Sequence, residues 1–65
     1  MRIPEHTIVT TLCNVHEGGI VVPVGQDGTI VHVYPSGYEV EFPDIADNPE
    51  VVHCPEGSIK PKAGT

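Results

Sequence analysis

Cys13-Asn14-Val15-His16 sets a thiol and an imidazole three residues apart. That spacing suits two zinc ligands, or a thiol beside a base. A structural zinc site needs four ligands, and no second close pair exists in the chain. His53 and Cys54 are adjacent, and neighbours in a strand point to opposite faces, so they can share neither a metal nor a proton. Glu39 and Glu41 share one strand face. Without burial nothing equips them for proton transfer, so they read as a solubilising pair and not as an acid–base couple. Gly25-Gln26-Asp27-Gly28 lacks the Lys and the following helix of a phosphate loop. No catalytic residue, no cofactor site and no metal site is expected.

Charge narrows the partners. Three basic residues stand against nine acidic ones in 65 residues, a formal charge of −6. Nucleic acid and anionic membrane surfaces both need clustered Lys and Arg, and are excluded as partners. Met1 to His6 has no apolar h-region, and no run approaches the ~18 apolar residues of a membrane helix. The expected location is the cytoplasm, where both cysteines are reduced and act as small buried hydrophobes. A Cys13–Cys54 bridge is the competing reading, but so small a disulfide scaffold usually carries more cysteines.

These side chains must be carried by strands. Seven Gly and seven Pro are spread along the chain and leave no room for a helix of ordinary length. Between them the sequence is β-branched, with ten Val and six Ile. Strands are expected at Thr7–Leu12, Thr29–Tyr34, Tyr38–Phe42, Glu50–Cys54 and Ile59–Pro61. Gly18-Gly19 opens a further apolar run, Ile20-Val21-Val22, which Pro23 stops. Pro43 to Pro49 is a polar connection. Pro55 to Ser58 is a tight turn or one turn of 3₁₀ helix. Ala63-Gly64-Thr65 is a short flexible tail. Five short strands at this spacing predict one all-β domain over residues 1–65, closed as a small barrel with its core in about 6–61.

The central hairpin sets the register. A three-residue loop at Pro35-Ser36-Gly37 pairs Tyr34 with Tyr38 and mixes glutamates with aliphatics. A loop of even length, taken as four residues so that Pro35 stays out of the ladder, pairs Tyr34 with Glu39. Val33 then faces Val40 and Val31 faces Phe42 on one side, while His32 faces Glu41 on the other. A one-residue slip flips every side chain, so this segregated register is expected. The predicted core is Val9, Val31, Val33, Val40, Phe42, Val52 and Ile59, with Glu39 and Glu41 exposed.

Gly28-Thr29-Ile30-Val31-His32-Val33-Tyr34 followed by Tyr38-Glu39-Val40-Glu41-Phe42 resembles an uncharacterised bacterial family of small SH3-like domains. Their motif is a G-T-V-V-x-V-Y strand, a Gly-containing turn and a Y-E-V-E-F strand. Ile8 to Leu12 falls at that family's first strand and Ile59 at its last core aliphatic. Pro23-Val24-Gly25 departs from its polar Gly-Asp turn. The resemblance spans about residues 6–61 and implies a small five-stranded SH3-like barrel without an established reaction. The same strands are similar, at the level of fold, to type II dihydrofolate reductases. There a V-Q-I-Y-P segment lines a tetramer's pore. Here Val52, His53 and Cys54 stand at the Gln, Ile and Tyr positions, and that chemistry is missing.

The expected function is therefore a non-catalytic accessory or protein-interaction module. The alternative is a ligand-binding or catalytic homo-oligomer resembling the type II reductases. A groove for proline-rich peptides is not expected, because the aromatic residues are few and Phe42 belongs to the core. The candidate partner surface is His32, Tyr34, Glu39 and Glu41. Ile20, Val21 and Val22 form the candidate self-association patch of a homo-oligomer.

Overall fold

A computed structural model describes residues 2–43, 45 and 50–63. The polar connection after Pro43 and the end of the expected tail, Gly64-Thr65, lie largely or wholly outside the described residues. Seven strands follow in chain order: β1 (Ile8–Thr11), β2 (Val15–Glu17), β3 (Ile20–Val22), β4 (Asp27–Tyr34), β5 (Gly37–Phe42), β6 (Glu50–Pro55) and β7 (Ile59–Pro61). The described residues contain no helix, and so none long and apolar enough to cross a membrane.

Five strands fall where strands are expected, and a sixth, β3, covers the apolar run Ile20-Val21-Val22. The seventh, β2, was not expected. Val15-His16-Glu17 pairs with Ile20-Val21-Val22 across Gly18-Gly19, so the two glycines join a hairpin instead of merely opening a strand. The other five strands form one antiparallel sheet in the order β6-β5-β4-β1-β7. It is a meander whose last strand returns beside the first. Among the described residues no ladder joins β6 to β7, so the sheet is open at those two edges.

The β4–β5 register differs from the expected one. The loop is a two-residue turn, Pro35-Ser36, and Tyr34 pairs with Gly37. Pro is favoured at the second position of a type I turn and Gly at the fourth, which is the pattern Tyr34-Pro35-Ser36-Gly37 presents. A turn of that hand does not match strand twist. The ladder accommodates it with a bulge between Ile30 and His32. Val33 then faces Tyr38 and His32 faces Glu39, whereas below the bulge Ile30 faces Val40 and Thr29 faces Glu41.

The extra residue reassigns the core. Ile30 is fully buried, whereas Val31 is 37% exposed and Val33 only packs against the core from its margin. Tyr38 is buried as well, at 1% exposure. Val9, Val40, Phe42, Val52 and Ile59 are buried as expected, joined by Val15, Val22 and Cys54. Gly28 keeps β4 close to the Phe42 ring, since a Cβ there would lie 2.7 Å from it. Cys54 is a small buried hydrophobe, as its type suggested, but Cys13 is exposed, and both thiols are free.

Two polar side chains, Thr11 and Asn14, hold the loop after β3. Buried Thr11 donates its hydroxyl to Pro23 O at 2.7 Å and accepts the Gln26 N–H at 2.9 Å. Asn14 Oδ1 accepts the Val24 N–H at 2.9 Å. These bonds shape the Pro23-Val24-Gly25 loop, satisfying backbone groups that no strand partners.

Candidate functional site

The outer face of β4, β5 and β6 carries the expected partner residues. His32, Glu39 and His53 stand in one row across the three strands, because His32 pairs with Glu39 and Glu39 with His53. The next row is Tyr34, Gly37 and Pro55. Gly37 has no side chain to fill its place, and the Tyr34 and His53 rings close over the gap at 5.9 Å between centroids. On the other flank His32 meets Tyr34 edge-on at 4.5 Å. Three rings from two strands thus form one cluster, with His32 and Tyr34 exposed and His53 half-buried, and Glu39, expected to be exposed, is half-buried beside it.

Glu41 lies one step along the same face, exposed, opposite Thr29 on β4 and Val51 on β6. The expected His32–Glu41 pairing is replaced by His32–Glu39, a consequence of the shorter turn. His53 belongs to the cluster and was missed. The signal available was its odd position on β6, which puts it on the face opposite Val52 and Cys54. Its backbone N–H is held by Glu17 Oε1 at 3.1 Å, which ties the β2–β3 hairpin to the β6 edge.

The expected self-association patch is corrected. Val22 is fully buried and Ile20 packs against the core, so Val21, at 53% exposure, is the member of that run left for a second chain to touch. The hairpin with β2 explains this, because it folds one face of the run inward.

Other candidate chemistry is not assembled. Cys13 is exposed before β2 and His16 is exposed on it, and no hydrogen bond joins them among the described residues. No three His, Cys, Asp or Glu side chains among those residues stand close enough to hold a metal ion. Val52 and Cys54 point into the core and His53 outward. Burial comes first in pushing the Cys54 thiol up to about 12, followed by the negative charges of Glu17 and Glu39 and by Cys13.

A second polar assembly lies at the turns. Arg2 reaches the carbonyls of Tyr34 and Pro35 and the carboxylate of Glu56, and packs over the Tyr38 ring. The Glu56 N–H donates to Ser36 O at 3.4 Å, so the β4–β5 and β6–β7 turns meet there. Beside this contact runs a groove of about 460 Å³, lined by Ile3, Pro4, Tyr38, Ile59 and Pro61 among others. A single Arg in a segment without periodicity gave no warning of it.

No family model, no curated protein and no solved structure matches this chain.

Proposed function

We propose that this chain is a non-catalytic interaction module that docks a protein partner on the outer face of β4–β5–β6. The observation that carries the reading is the His32–Tyr34–His53 ring cluster, its His32 and Tyr34 exposed, set beside Glu39 and Glu41 and mounted on paired strands. Aromatic and imidazole side chains on a rigid sheet lose little conformational freedom on binding, which favours them as contact anchors. With nine acidic residues against three basic ones, a complementary partner surface is basic.

The architecture we assign is the five-stranded SH3-like barrel, with β1, β4, β5, β6 and β7 as its strands. A meander whose closing strand returns to the first supports it, since that order lets one twisted sheet curl toward closure. The cytoplasm is the proposed compartment, in keeping with two free thiols. The competing reading, a pore-forming homo-oligomer like the type II reductases, draws no support from β6. Val52 and Cys54, at two of the three pore positions, are buried inside the chain.

Affinity capture with matched variants tests the proposal. The wild-type chain and Lys60→Ala should retain one partner in equal amounts, while Tyr34→Ala and Glu39→Lys should each reduce it by tenfold or so, about 1.4 kcal/mol. Equal capture by all four chains rejects the surface. Protein-dependent NADPH oxidation with dihydrofolate rejects the non-catalytic reading.

A further inference from the structure

Arg2 occupies a built guanidinium site. Its Nη1 donates to Glu56 Oε2 at 3.1 Å and to Pro35 O at 3.2 Å, and its Nη2 donates to Tyr34 O. Its Cζ stands 5.1 Å from the centre of the Tyr38 ring. A carboxylate, two carbonyls and a ring face are what a planar, five-donor cation can use. The next residue extends the contact. The Ile3 N–H donates to Tyr38 Oη at 3.2 Å, and its side chain packs against the core.

The segment Arg2–Glu5 belongs to no strand. What seats it is this set of side-chain contacts. It is turned back over its own sheet by His6, whose φ of 70° lies in the left-handed region. That conformation is unfavourable for a residue with a Cβ. The His6 N–H is held by Ile30 O at 2.7 Å.

We infer that Arg2–Glu5 exchanges between two copies of this chain, each seating its Arg2 on the Tyr38–Glu56 site of the other. A second copy carries the occupant that the site already fits. Rotation of His6 to an extended φ swings the segment away from its own sheet, and the same contacts are remade reciprocally across a two-fold axis. Opening relieves the left-handed hinge and gives up the His6–Ile30 hydrogen bond, effects of comparable size. Every other contact cancels between the two forms, so concentration and hinge conformation decide the balance. The tethered segment competes at an effective concentration on the order of millimolar.

Sedimentation velocity up to millimolar concentration, on the full chain with substitutions at residue 6, tests this. Glycine adopts positive φ without penalty. His6→Gly should therefore weaken dimerisation, by roughly fivefold per hinge and so about 25-fold for the two hinges of a dimer. His6→Ala should strengthen it, since His tolerates the left-handed region better than Ala. Arg2→Ala should leave a monomer at every concentration. Should His6→Ala fail to fold, the wild type, His6→Gly and Arg2→Ala still decide the matter. A dimer that ignores residue 6, a dimer that survives Arg2→Ala, or a wild-type chain that is monomeric throughout overturns the inference.

Discussion

Gly37 lies beneath His53: a Cβ on residue 37 would stand 3.1 Å from His53 Nε2 and 2.5 Å from Cys54 O. The missing side chain admits the imidazole toward Tyr34 and lets β6 approach β5 closely. Gly37→Ala should cost about 1–3 kcal/mol, as overpacking does where backbone must shift. His53→Ala should not rescue it, because the nearer obstacle is a carbonyl that cannot rotate away. Urea denaturation of the single and double variants checks this, and full recovery in the double variant contradicts it.

The two cysteines should differ sharply in reactivity. Cys13 is exposed, whereas Cys54 is buried with its thiol pushed up to about 12. The thiolate is the reactive form, so iodoacetamide at neutral pH should label Cys13 quickly and Cys54 only as the chain unfolds. A raised folded pKa also has a sign for stability. Its contribution is intact below the unfolded value near 9 and is lost as pH rises from there through the folded value. Mass spectrometry of the labelled native chain reads the first effect, and equal rates at both cysteines contradict it.

Asp27 should contribute to acid sensitivity. Its carboxylate is held below the ordinary range by the hydrogen bond from Lys62 Nζ first, and then by the Thr10 hydroxyl at 2.8 Å. A depressed folded pKa stabilises above the unfolded value near 3.8, and that stabilisation disappears as pH falls through the lower folded value. The pair links β4 to the residue after β7 across β1, at the surface, so the effect is small and screened by salt. Asp27→Asn should flatten the acid limb of thermal stability below about pH 4, through an equally small loss of stability at neutral pH and none in strong acid. An unchanged acid limb contradicts the assignment.

Much of this was legible in local residue patterns. Tyr38-Glu39-Val40-Glu41-Phe42 alternates, so its inner and outer faces could be read directly, and Glu41 is exposed as that reading requires. The β4 strand could not be read that way. It is apolar at Ile30, Val31 and Val33, and which of them faces inward depends on one inserted residue whose place is set by the turn and by packing on β5. The β2–β3 hairpin escaped notice because His16 and Glu17 are exposed polar residues with no apolar alternation to mark a strand. Of the candidate surface, His32, Tyr34, Glu39 and Glu41 were visible as one polar strand face. His53 joins them through a third strand whose register no local pattern encodes.

The claim that this outer face docks a partner is tested most directly by histidine footprinting of the captured complex. Four histidines report on the chain, with His32 and His53 in the ring cluster and His6 and His16 away from it. Each is modified with diethylpyrocarbonate in the free and bound forms and quantified by mass spectrometry. We predict that the partner slows modification of His32 and His53 by at least about tenfold, as burial of a contact anchor would, and leaves His6 and His16 unchanged. Protection of His6 or His16 with His32 and His53 as reactive as in the free chain would contradict the account.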